Sequence, residues 1–225
     1  MKQLEIPTSE YYTALNIDEQ ARKFTDRLQV QREKHKNQVV LPRNVALLVI
    51  DMQGFFNQPG YHAFVPSIQA IIPKINKLQA CCVERNIPIF QTRHGNTEAD
   101  ARQMLKWWGA GSVNDKDSSL AEIIPEIRNP NAEVIPKTQY DAFWETGLED
   151  VLRSKNIEQI IITGVMTHLC CETTARAAFV RGFGVFFAID GTATYNPEFQ
   201  FSTLYNLSHG FARPVLIDEI LQEIR

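Results

Sequence analysis

Three side chains in this sequence could together do hydrolytic chemistry. Each sits where an apolar run ends. The run Val45-Ala46-Leu47-Leu48-Val49-Ile50 gives way to Asp51-Met52-Gln53-Gly54. A carboxylate directly after such a run is costly to half-bury unless it is paired or used. Asp also caps turns, so the position alone leaves both readings open. Lys137 follows the short apolar segment Glu133-Val134-Ile135-Pro136. Lysines are usually solvated, and this one draws interest from its company. The segment Ile160–Thr163 leads through Gly164-Val165-Met166-Thr167-His168-Leu169 to Cys170-Cys171. A helix is expected to begin near His168 or Leu169, which puts Cys170 in its first turn. Unpaired backbone N–H groups and the helix dipole would lower a thiol pKa there. Cys171 is rotated by about 100° and should face the packing. The bland alternative is that both are inert core residues, and for Cys171 that alternative stands. A fourth apolar run, Ile87–Gln91, ends in Gln91-Thr92-Arg93-His94-Gly95, placing a cation and an imidazole on the same rim.

These residues need a scaffold. Short apolar runs at 45–50, 87–91, 133–135, 159–163, 185–189 and 214–217 alternate with helical patterns at 67–86, 98–107, 147–155, 168–181, 198–210 and 217–224. Continuous apolar runs of strand length belong to parallel sheets covered on both faces. Repeated strand–helix–strand units imply a doubly wound α/β sheet, whose chemistry lies at the carboxyl ends of the strands. Residues 1–40 are read as an N-terminal arm with a helix over 18–36, ahead of one domain over 41–225. In that helix Ala21, Phe24, Leu28 and Val30 are the candidate apolar stripe. It belongs either to a surface helix or to an arm lying on a neighbouring subunit.

The composition excludes several classes. The chain has 225 residues, 44% hydrophobic and 22% charged, with a formal net charge of −3. That is globular composition with no basic surplus for nucleic acid. No apolar run reaches the roughly 20 residues that span a bilayer. The first residues lack the apolar core of a signal peptide, so a cytoplasmic location is expected. The four cysteines form two vicinal pairs, Cys81-Cys82 and Cys170-Cys171. That is neither a disulfide framework nor zinc spacing. Cys81-Cys82 lies deep in a helical pattern and reads as core.

From about Arg43 onward the chain resembles the isochorismatase-like cysteine hydrolases. The motifs are Ile50-Asp51-Met52-Gln53, then Lys137 with Tyr140-x-Ala142-Phe143, then Thr163-Gly164-Val165-Met166-Thr167 leading into Cys170-Cys171-Glu172-Thr173-Thr174-Ala175-Arg176. Met104-Leu105-x-x-Trp108-Gly109 and the arm are similar to the isochorismatase members. The resemblance implies a three-layer α/β/α fold with a central parallel sheet. It implies a catalytic triad of Asp51, Lys137 and Cys170. It also implies a cis peptide at Val165–Met166 and an oxyanion hole from the Met166 and Cys170 N–H groups. In that chemistry Asp51 takes the thiol proton, the thiolate attacks a carbonyl, and Asp51 protonates the departing amine.

The sequence departs from two branches of the family. Nicotinamidases carry an Asp-x-His metal motif after the second strand, whereas this chain has Thr92-Arg93-His94-Gly95-Asn96. No metal or other cofactor is therefore expected, and nicotinamide is disfavoured as a substrate. His62 is too remote to complete such a motif and reads as surface. Better-known isochorismatases carry glycine where Cys170 stands, so a nucleophile here favours C–N cleavage over vinyl-ether cleavage. A vinyl-ether hydrolase using Asp51 alone is the alternative. A binding protein on the same fold is a further one. The expected ligand is a small carboxylate or amide. Arg93 and His94 would meet its polar group, with Gln53, Phe56, Trp107, Trp108, Tyr140 and Phe143 as further candidate contacts. The resemblance also implies a homodimer or larger homo-oligomer.

Overall fold

A computed structural model describes residues 7–109 and 114–224. The start of the predicted arm, residues 1–6, lies outside the described residues. Six strands form one sheet in the order β3-β2-β1-β4-β5-β6, with every pairing parallel. They are β1 (Val45–Ile50), β2 (Ile89–His94), β3 (Glu133–Lys137), β4 (Gln159–Val165), β5 (Gly184–Ala193) and β6 (Arg213–Val215). Every residue of β1 is buried, as its uninterrupted apolar sequence requires of a strand covered on both faces.

Two predicted strands run longer than their apolar cores. β2 extends to His94 and β5 to Ala193, because polar residues at these carboxyl ends are also buried. Chain order reverses between β1 and β4, and that is where an open α/β sheet leaves a crevice.

The helices follow the predicted pattern with sharper ends. In chain order they are α1 (Ile17–Arg27), α2 (Gln29–Lys34), α3 (Gly54–Asn57), α4 (Ile68–Glu84), α5 (Glu98–Ala101), α6 (Gln103–Trp108), α7 (Leu148–Ser154), α8 (Glu172–Val180), α9 (Pro197–Gly210) and α10 (Ile217–Glu223). Cys82 in α4 is fully buried and Cys81 is packed against the core, as a structural pair should be. No helix among the described residues is long and apolar enough to cross a membrane.

The arm packs on its own chain. The predicted single helix is interrupted at Leu28, which is fully buried together with Ala21 and Phe24, whereas Val30 is 68% exposed and leaves the stripe. Ahead of α1, the Tyr12 hydroxyl donates to Ile189 O at 3.0 Å and the Tyr11 hydroxyl to Gln200 Oε1 at 2.9 Å. Phe24 stacks on Phe201 of α9, and Arg32 pairs with Glu219 of α10 at 2.6 Å. The core is therefore continuous from the arm into the sheet.

Leu28→Ala is expected to cost about 2–5 kcal/mol as a buried truncation. Val30→Ala should stay within about 0.5 kcal/mol as a surface change. Urea unfolding of the two variants measures the difference, and equal losses would contradict this packing.

Candidate active site

The crevice at the carboxyl ends of the strands collects the three candidate side chains. Asp51 is the first residue past β1 and Lys137 the last of β3, so Lys137 reaches across β2 to meet it. Lys137 Nζ lies 2.8 Å from Asp51 Oδ2, and neither side chain is exposed at all. The same ammonium lies 3.5 Å from Cys170 Sγ and 2.8 Å from Gln139 O. A lysine emerging from an edge strand is thereby wedged between a carboxylate, a thiol and a carbonyl.

Local geometry fixes each partner. Asp51 has φ +50, a left-handed conformation that Asp tolerates better than most side chains. Thr92 of β2 holds it there: its hydroxyl donates to Asp51 Oδ1 at 2.6 Å and accepts from Asp51 N at 3.0 Å. Gly164 has φ +107, and a Cβ there would come within 2.0 Å of Ile50 O. Only glycine lets β4 approach β1 this closely beside Asp51. The Val165–Met166 peptide is cis. Beyond it Thr167–Cys171 forms a π-helical turn, with Cys171 N donating to Met166 O at 3.2 Å, and α8 begins only at Glu172. The expected α-helical first turn around Cys170 is thus replaced by a wider one.

The electrostatics also differ from the sequence expectation. Burial pushes the Cys170 thiol pKa up. The Lys137 charge opposes this, while the Asp51 carboxylate adds to the rise. Desolvation thus favours the protonated thiol, against the lowering expected from a helix terminus. Burial alone would depress the Lys137 ammonium, but Asp51 and Cys170 outweigh it and its pKa is raised. Cys171 is fully buried with its sulfur 4.0 Å from Thr163 O, and burial pushes its thiol up too.

Cys170 is the member of the three that lines a cavity. Phe55, Phe56, His62, Ala63, His94, Met104, Trp108, Tyr140, Met166, Leu169 and Tyr195 complete the lining, around about 50 Å³ of free space. Among the predicted contacts Phe56, His94, Trp108 and Tyr140 are there, as is Met166 of the expected oxyanion pair. The others point elsewhere. Gln53 is fully buried and laces two strand ends together: it donates to His94 O at 2.7 Å and to Ala121 O, and accepts from His94 N at 2.9 Å. Arg93 turns outward to Glu122 at 2.8 Å and Lys116 O. Phe143 stacks on Phe183 beneath Arg181, in the packing under the site. Trp107 is exposed on the outer face of α6.

Sequence reasoning misses Thr92, Phe55, His62, Ala63, Met104 and Tyr195. His62 is exposed yet lies at the cavity mouth, edge-on to Phe55. Tyr195 is held there by donating to His62 O at 2.8 Å. Among the described residues no group of His, Cys, Asp and Glu is placed to hold a metal ion.

Comparison with known proteins decides the family. The model of the Isochorismatase domain matches residues 45–219. The chain belongs to this family. Among curated relatives, Nicotinamidase 3 of Arabidopsis thaliana is 38% identical over 182 residues, covering 80% of this chain and 88% of that protein. Ureidoacrylate amidohydrolase RutB of Pseudomonas syringae is 29% identical, covering 79% and 82%. Isochorismatase of Bacillus subtilis is 30% identical, and the match covers 82% of this chain but 59% of that longer protein. A cysteine hydrolase structure from Pseudomonas syringae pv. phaseolicola shares the fold, with a TM-score of 0.78, 23% identity, and coverage of 84% of this chain and 95% of that one. Relatives bearing hydrolase names and the matched domain identify this isochorismatase-family chain as a hydrolase.

His94 provides a pH test of the site. It is buried, and burial together with the Lys137 charge lowers its pKa from 6.5 to about 4. The unfolded chain therefore binds a proton that the folded one refuses between these values. Stability falls as pH drops from 6.5 toward 4, by up to about 3 kcal/mol from this residue. Urea midpoints at pH 7 and pH 5 should show a smaller loss in His94→Gln than in the unsubstituted protein. An identical loss would contradict a buried neutral imidazole.

Proposed function

We propose that this protein is a cysteine hydrolase that cleaves an amide-type C–N bond in a small molecule. Cys170 is the nucleophile, Asp51 the proton carrier and Lys137 the fixed countercharge. The observation that carries this is Lys137 Nζ bridging Asp51 and Cys170, at 2.8 Å and 3.5 Å, behind a cavity whose wall includes the sulfur.

The resting thiol defines the first step. Asp51 accepts the Cys170 proton as the Sγ–C bond forms at the substrate carbonyl. The carbonyl oxygen takes the negative charge, and the backbone N–H groups of Met166 and Cys170 are assigned to receive it. Collapse breaks the C–N bond, and Asp51 returns its proton to the leaving nitrogen. A water molecule then attacks the thioester, with Asp51 again taking a proton, and the acid leaves as the thiol is restored. Lys137 balances the carboxylate and the transient thiolate while taking no proton.

The names of relatives support amide chemistry, since they include a nicotinamidase and a ureidoacrylate amidohydrolase. The missing Asp-x-His motif speaks against nicotinamide, yet the relative named for it puts nicotinamide on the substrate panel. The relative named isochorismatase favours the ether reading, in which a protonated Asp51 acts on a vinyl ether without a nucleophile.

The experiment is steady-state hydrolysis of nicotinamide, ureidoacrylate and isochorismate by the unsubstituted protein, Cys170→Ala and Asp51→Asn. On an amide, both variants should lose about 10⁴-fold or more in kcat/KM, as when members of a nucleophile–base unit are removed. Isochorismate turnover that survives Cys170→Ala and is lost in Asp51→Asn would establish the ether reading instead.

A further inference from the structure

The stretch ahead of α1 is bonded to the segment that supplies one wall of the cavity. Pro7 O accepts from Asn196 Nδ2 at 2.9 Å, and Ser9 N donates to Tyr195 O at 2.7 Å. The Tyr11 hydroxyl accepts from Thr194 N at 3.1 Å. Tyr195 is the wall residue of that segment. A further bond of Tyr11 leads toward the turn that carries the nucleophile.

The junction is Gln200 of α9, which is fully buried. Its Oε1 accepts from the Tyr11 hydroxyl at 2.9 Å and from the Thr167 hydroxyl at 2.6 Å. Its Nε2 faces Ile189 O at 3.2 Å, Thr192 O at 3.3 Å and Thr192 Oγ1 at 3.2 Å. Carbonyl oxygens can only accept, so the amide nitrogen belongs on their side and both hydroxyls must donate to Oε1. Both lone pairs of that oxygen are then taken. Burial pushes the Tyr11 pKa up, so the phenol keeps the proton it donates. Thr167 stands between Met166 and the pair Leu169-Cys170, all three of which line the cavity. A second thread runs in parallel. Thr194, whose N–H Tyr11 holds, bonds through its hydroxyl to His168 Nδ1 at 2.5 Å, and the His168 ring stacks on Phe199 of α9. Tyr11, Thr167, Thr194 and Gln200 are all buried, and none of them lines the cavity. A bond lost among them is not replaced by water.

We propose that Tyr11 and Gln200 are positioning residues. Through the shared Gln200 oxygen the arm holds Thr167, and so fixes the Met166–Cys170 segment that carries the sulfur and the two assigned N–H groups. Donors displaced by a fraction of an ångström weaken the transition state more than the bound substrate. The effect on turnover rests on the cysteine-hydrolase reading; the effect on the turn does not.

Tyr11→Phe keeps the ring and removes one oxygen. Tyr11→Phe and Thr167→Val are each expected to lower kcat about 10-fold on the panel substrate turned over fastest, with KM changed less than about 2-fold. Thr167→Ser, which keeps the hydroxyl, should stay within about 3-fold of the unsubstituted kcat. The double variant Tyr11→Phe/Thr167→Val should lose about 10-fold and not about 100-fold, because the two act through one oxygen. Hydrogen exchange read by mass spectrometry should speed up about 10-fold in Tyr11→Phe across residues 166–172 and stay unchanged in β1. Unchanged exchange across 166–172, an equal rise in β1, or losses of kcat that multiply in the double variant would overturn the proposal. Faster exchange confined to 166–172, with no panel substrate turned over by the unsubstituted protein, would uphold the positioning and count against the hydrolase reading. Cys170-dependent hydrolysis that Tyr11→Phe leaves unaltered would uphold the hydrolase reading and overturn the positioning.

Discussion

The ammonium of Lys137 and the carboxylate of Asp51, both stripped of water at the end of a parallel sheet, are the interaction on which this structure turns. An isolated buried charge costs several kcal/mol, and removing one partner of such a pair typically costs about 3–5 kcal/mol. The fold meets that cost with geometry. Thr92 holds one oxygen of Asp51, the carbonyl of Gln139 holds Lys137, and Gln53 ties the ends of β1 and β2 through backbone groups. The sulfur of Cys170 is added to a pair whose charges are already balanced. A neutral thiol fits that environment better than a third charge, which is why burial prevails over the nearby ammonium.

Topology explains why these residues meet. The order β3-β2-β1-β4 puts the carboxyl ends of β1, β3 and β4 around one crevice although residues 51, 137 and 170 are far apart in the chain. Gly164 lets β4 close on β1, and the π-helical turn after Met166 brings Cys170 to the cavity wall. The two charged members stay behind the sulfur, shielded from water. A molecule in the cavity thus meets the sulfur first, with the ion pair behind it.

Much of this is legible in residue order. Uninterrupted apolar runs announce strands covered on both faces, and the carboxyl-end rule singles out Asp51, Lys137 and Cys170. What residue order hides is side-chain direction. Arg93 and His94 are neighbours on β2 and point to opposite sides, so the arginine leaves the site while the imidazole enters it. Gln53 looks like a ligand contact because it closely follows Asp51, but buried backbone groups need it more. His62 and Tyr195 come from loops distant in sequence and carry no local pattern that marks them. The thiol pKa escapes a sequence reading because helix position can be read from residue order and desolvation cannot. The stripe in α1 shows its burial but not its partner, which is this chain's own α9 and β5.

The resting state of the sulfur is the point at which the mechanism is most open to test. Alkylation of Cys170 by iodoacetamide, followed from pH 6 to pH 10 by peptide mass spectrometry, reads it directly. A buried thiol beside a balanced ion pair predicts slow labelling at neutral pH and a rate still climbing at the alkaline end. A rate that has already levelled off at pH 7 would show a preformed thiolate, and would contradict the role proposed for Asp51 as the group that takes the thiol proton.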